Sequence, residues 1–101
     1  MGEAAMIIDD MDTAEQLADV LKAVAHPLRL RAVAALCEAP KNVTELCERL
    51  GVRQALASQH LAVLRMSGLV SVDRTGGHST YSIREPGLRN LIACLTGCKR
   101  G

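Results

Sequence analysis

"VRQALASQHLAVLRMSGLV", Val52 to Val70, decides the fold. Leu61 and Leu64 sit at helical spacing, which predicts a helix from about Gln54 to Ser67, ended by Gly68. Its exposed face carries Gln54, Ser58, Gln59 and Arg65. Short amide and hydroxyl side chains near a helix N-terminus suit readout of DNA. Glutamine pairs bidentately with adenine, and serine reaches bases or phosphates. Taken alone, the same pattern also fits an ordinary polar helix face, so its neighbours decide between the two.

Just upstream, "NVTELCERLGV" (Asn42 to Val52) opens on a capping-box pair, Asn42 with Glu45. Val43, Leu46, Cys47 and Leu50 form the stripe of a short helix, and Gly51 closes it. Two short helices separated by "LGV" have helix-turn-helix spacing. Downstream, Leu69 to Asp73 and Ser79 to Ile83 read as strands joined by the turn Thr75-Gly76-Gly77. Arg74 and His78 fall near its tip, where a wing meets phosphate or the minor groove. Farther upstream, Asp12 with Glu15 predicts a first helix from Thr13 to Ala25, with Leu17, Val20, Leu21 and Val24 as its stripe. His26-Pro27 opens a second, with Leu30, Val33, Ala34 and Cys37 on one face. Pro86 opens the last, with Leu88, Leu91, Ile92 and Leu95. The expected order is helix-helix-helix-helix-strand-strand-helix, mainly α with a small β-hairpin. It forms one domain over residues 1–101, with 1–11 flexible.

Composition narrows the setting. Tyr81 is the only aromatic residue, so Leu, Val, Ile and Ala build the core of a 101-residue chain. Such a core is thin, and dimerisation would bury more surface per residue. The net charge of +1 hides an uneven spread. Residues 1–20 carry Glu3, Asp9, Asp10, Asp12, Glu15 and Asp19 with no Lys or Arg. Residues 53–84 carry Arg53, Arg65, Arg74 and Arg84 against Asp73 alone. A basic middle beside an acidic end suits a module presenting one face to a polyanion. No apolar run reaches membrane-spanning length, and Met1 to Asp12 lacks the form of a secretory signal. The expected compartment is the cytoplasm, where thiols stay reduced.

The combination resembles the ArsR/SmtB family of winged-helix repressors over nearly the whole length. The matching stretches are "LKAVAHPLRLRAVAAL" (21–36), "NVTELCERLGV" (42–52), "SQHLAVLR" with "GLV" (58–65 and 68–70), and the hairpin from Arg74 to Ile83. The resemblance implies a winged helix-turn-helix and a homodimer built on the first and last helices. It also implies double-stranded DNA with an inverted-repeat operator as partner, and release on induction. Arg53, Gln54, Ala55, Ser58, Gln59, His60, Arg65, Arg74 and His78 are the candidate DNA contacts. Where the family has a Ser or Thr N-cap, this chain has Arg53, which lacks an acceptor and is available to phosphate. The family's "ELCVCD" metal box reads "ELCERL" here. Cys47 matches its first cysteine, the second is absent, and the last helix lacks the family's Asp/His ligand set.

Four cysteines remain to be explained: Cys37, Cys47, Cys94 and Cys98. Each lies on an apolar stripe, where free cysteine serves as a small buried residue. A sensor is the other reading. Cys94 and Cys98 stand four apart, with Cβ atoms about 5–6 Å apart on a helix. That is too far for a good disulfide, which needs about 3.5–4.5 Å. Two such thiolates can reach one soft ion, and Cys47 or Cys37 from either protomer can complete a trigonal site. Arsenic, antimony, cadmium or lead fits as inducer, with no constitutive cofactor. Alternatively, Cys37 and Cys98 form a redox or persulfide switch, partly resembling the family's persulfide-sensing branch. Finally, Cys94 to Arg100 formally matches C-x5-R, the loop of thiol phosphatases and arsenate reductases. That chemistry needs a strand before the loop and a helix after it. A helix precedes it here and the sequence stops one residue later, so no enzyme is expected.

Overall fold

Caps and glycines set most element boundaries, and they lie close to where the local patterns put them. The computed structural model describes residues 2–98. Its elements run α1 (Glu3–Ile8), α2 (Met11–Val24), α3 (Pro27–Glu38), β1 (Lys41–Asn42), α4 (Val43–Leu50), α5 (Gln54–Met66), β2 (Val70–Asp73), β3 (Thr80–Ile83) and α6 (Gly87–Gly97). The Asn42 side chain accepts from Glu45 N–H at 2.8 Å, and Glu45 accepts from Asn42 N–H at 2.9 Å. This reciprocal pair satisfies two donors that the helix start would otherwise leave open. At the far end of α4, Gly51 takes φ 71°, a left-handed conformation that costs a glycine nothing. The chain then turns straight into α5.

Three boundaries differ from expectation. Asp10, not Asp12, caps α2, accepting from Asp12 N–H at 3.0 Å and from the Thr13 hydroxyl at 2.8 Å. Asp10 has the extended backbone a cap needs, whereas Asp12 is already helical. Within 1–11, the stretch expected to be flexible, residues 3–8 form a short helix. A third strand, β1, pairs antiparallel with β3, Lys41 opposite Tyr81 and Asn42 opposite Thr80. The sheet order is β1-β3-β2, and the hairpin pairs Val70 with Ile83 and Val72 with Tyr81.

The core centres on α3, whose Leu28, Ala32, Val33, Ala35 and Leu36 are buried. The expected face was Leu30, Val33, Ala34 and Cys37; of these only Val33 is fully buried. Helix α3 contacts α2, α4, α5, β3 and α6, so it is apolar on several sides and no single stripe marks its inner face. Leu46, Leu61, Leu64, Val70 and Leu88 close the core around it. Helix α2 behaves differently. Only Ala23 and Val24, at its C-terminal end, are buried, while Leu17 (43%) and Leu21 (54%) are exposed. With α1 it projects as an arm. The radius of gyration is 14.9 Å, against about 13 Å for a compact chain of this length.

Candidate nucleic-acid interface

Helix α5 is held from behind by Ala57, His60, Leu61 and Leu64, all buried. That fixes its other face outward: Gln54, Ala55, Ser58, Gln59, Ala62 and Arg65 are exposed. The spacing of three and four places them on one stripe. Arg53 is the extended N-cap residue and makes no side-chain cap bond, so it leaves the N-terminal N–H groups of α5 open to an anion. At the other end, Gly68 (φ 76°) ends the helix, with Gly68 N–H bonding Arg65 C=O and Leu69 N–H bonding Leu64 C=O, each at 3.0 Å. Leu69 then enters the core and starts the hairpin.

The hairpin tip is a short turn, Thr75–Gly77, with Gly76 and Gly77 at positive φ. Asp73 accepts from both the Thr75 N–H and its hydroxyl, and these bonds hold its carboxyl below the usual range. Arg74 and His78 flank the turn and are exposed. Of the nine predicted DNA contacts, eight are exposed on α5, its N-cap or the hairpin. His60 is the exception. It is 8% exposed and lies beneath the recognition face, because a residue three after Ala57 and four before Leu64 points inward.

Long-range bonds that no local pattern reveals position this face. Arg31 of α3 donates to Leu50 C=O at 2.9 Å, gripping the end of α4 just before the turn. Arg49 donates two bonds to Glu38, at 2.7 and 2.9 Å, and ties α4 to the end of α3. Arg29 donates to Ala23 C=O at 2.6 Å and approaches His60 Nδ1 at 3.4 Å.

The four cysteines separate into two classes. All are free; Cys37 and Cys47 are half-buried, and Cys94 and Cys98 are exposed. The apolar stripe thus does not bury the second pair within one chain, because none of the described residues covers that side of α6. Cys98, the C-cap of α6, keeps helical backbone angles, so the two thiols share one side of the helix. Among the described residues, no three His, Cys, Asp or Glu side chains converge on a metal-sized point. Cys94 lies inside α6, so no phosphate loop begins there, and Arg100 lies outside the described residues. None of the described helices is long and apolar enough to cross a membrane.

Comparison with known proteins agrees with this geometry. Residues 26–72 match the family model for bacterial regulatory proteins of the arsR family. The chain is 39% identical over 83 residues to the HTH-type transcriptional regulator NmtR of Mycobacterium tuberculosis, covering 82% of this chain and 69% of that protein. The crystal structure of the transcriptional repressor BigR from Xylella fastidiosa aligns with a TM-score of 0.86 and 32% identity, over 100% of this chain and 99% of that one. The homodimeric winged helix-turn-helix DNA-binding domain Mb0332 of Mycobacterium bovis aligns at 0.78 and 27% identity, over 87% and 82%. The chain belongs to the arsR family of bacterial regulatory proteins, DNA-binding transcription regulators with a winged helix-turn-helix.

Proposed function

We propose that the chain is a homodimeric, cytoplasmic transcriptional repressor whose thiols on α6 sense a soft metal or metalloid. A single domain carries both DNA binding and dimerisation. The dimer joins α2 and α6 of two copies, covering Leu17, Leu21 and Leu95, which one chain leaves exposed. The homodimeric relative from Mycobacterium bovis supports that assembly. Two α5 helices then enter successive major grooves of an inverted-repeat operator. Gln54, Ser58 and Gln59 read base edges, Arg53 and Arg65 hold phosphate, and the hairpin sets Arg74 and His78 on the flanking backbone.

The observation that carries the sensing reading is the exposed, helically spaced pair Cys94 and Cys98. Two thiolates at this spacing suit one soft ion better than each other. A third thiolate, Cys37 or Cys47 of either protomer, completes a trigonal site. A second reading, a Cys37/Cys98 redox or persulfide switch, draws support from one bond. Arg89 of α6 donates to Cys37 C=O at 2.6 Å, so the end of α3 bearing Cys37 is tied to α6.

The DNA arm is tested by gel retardation of a family-type inverted repeat at several salt concentrations. Each phosphate contact contributes about −0.9 to the log–log salt slope, so a steep slope is expected. Retardation indifferent to salt would refute phosphate-anchored docking. The thiol arm is tested by adding cadmium to the reduced protein. A sulfur-to-metal ultraviolet band should appear in wild type and vanish in Cys94→Ser/Cys98→Ser; an equal band in both would refute the pair.

A further inference from the structure

Behind the recognition helix lies a small polar cluster that the DNA-binding face does not use. His60 of α5 is buried, its ring centroid 4.4 Å from that of His26 at a tilt of 36°. His26 is the N-cap of α3, and its Nδ1 accepts from Leu28 N–H at 3.1 Å. Arg29 completes the group. Its Nε donates to Ala23 C=O, at the end of the dimer arm α2, and its Nη1 lies 3.4 Å from His60 Nδ1. A guanidinium only donates, so Nδ1 of His60 must be the acceptor. Both imidazoles therefore present a bare Nδ1 to a donor, which requires both rings to be neutral. A proton on either Nδ1 sets N–H against N–H and adds a positive charge beside Arg29.

We propose that His26, Arg29 and His60 form a positioning unit that fixes the recognition helix against the dimer arm and loosens on acidification, so that operator affinity falls as pH drops. This rests on the DNA-binding reading above. One guanidinium spans from α2 to α5, so it links the angle of the dimer helix to that of the reading helix. It adds a proton as a second input, separate from the thiols.

The remaining surroundings agree. On α2, Asp19 and Lys22 line the adjoining groove with Arg29. From α4 the core receives Leu46 and Leu50, and from β2 it receives Val70, all apolar. Burial, then His26, then Arg29 hold His60 below its ordinary value near 6.5. The sign follows from linkage. With the folded value depressed, the unfolded or undocked state takes up a proton first. Docking is at full strength above about pH 6.5 and weakens as pH falls from there through the lower folded value.

The test measures operator affinity at about pH 7.5 and about pH 5.5, on either side of the ordinary histidine value. Every protein carries His78→Gln, because protonating the exposed wing histidine would strengthen phosphate binding and mask the effect. With His60 present, affinity should fall by more than about threefold; with His60→Gln added, by less than that. A role in packing alone would lower the melting temperature of the variant yet leave both pH slopes equal, and equal slopes overturn the proposal. Should His60→Gln not fold, imidazole NMR titration of wild type decides instead: His60 should titrate below the ordinary histidine value near 6.5, and a midpoint at or above that value overturns the proposal. If the folded dimer retains no operator at either pH, the repressor reading fails and this inference with it. Retention with equal slopes defeats this inference alone.

Discussion

Helices α2 and α5 are nearly the same length, 14 and 13 residues, and both are amphipathic, yet they present opposite faces to the surroundings. Helix α5 buries Ala57, His60, Leu61 and Leu64 and exposes glutamine, serine and arginine. Helix α2 buries only its last two residues and exposes Leu17 and Leu21. A polar face backed by a tight core is built for a polar ligand that arrives and leaves. An apolar face that the described residues leave uncovered, as at Leu17 and Leu21, is built for a protein surface. On the proposed function, the chain separates reading DNA from pairing with itself, and α3 bonds to both sides, to the end of α2 through Arg29 and to the end of α4 through Arg31.

Substitutions can break this contrast. The largest effect is expected in the shared core: Leu61→Ala should cost about 2–5 kcal/mol in denaturant unfolding, because a fully buried leucine leaves a cavity. Leu17→Glu/Leu21→Glu should spare the fold of the single chain but give a monomer by sedimentation. Operator affinity should then drop by about a hundredfold, as two linked half-sites become one. A dimer that survives both charges would show that α2 is not the seam. The smallest effects belong to the reading face. Gln54→Ala or Ser58→Ala should each weaken operator binding by about 1–3 kcal/mol while leaving non-specific binding unchanged. Arg65→Ala should weaken all sequences alike and reduce the salt slope by about 1. Loss of discrimination from Arg65→Ala would move it from phosphate to a base.

What the sequence revealed, and what it hid, follows the same divide between local and distant causes. The cap at Asn42, the stop at Gly51, the end of α5 at Gly68 and the turn at Gly76-Gly77 are encoded within a few residues, and all are in place. The start of α2 falls before the expected cap Asp12, because Asp10 is an equally able cap and holds the extended backbone between α1 and α2. Strand β1 is two residues that are a strand only because β3 lies beside them. His60 counts among the candidate DNA contacts through its place in "SQHL", although its spacing from Ala57 and Leu64 marks it as inward. The exposure of Cys94 and Cys98 was hidden for another reason. An apolar stripe shows that something covers a helix but not whether the cover comes from the same chain.

The most direct measurement is operator release by the reduced protein, comparing wild type with Cys94→Ser/Cys98→Ser. Arsenite, cadmium, peroxide and a persulfide donor are each titrated separately. Both proteins should hold the operator equally before treatment. Arsenite or cadmium should release the wild type alone, while peroxide and the persulfide donor release neither. Release of both proteins alike, or of neither by any reagent, would contradict a sensor on α6 and return the thiols to a structural role.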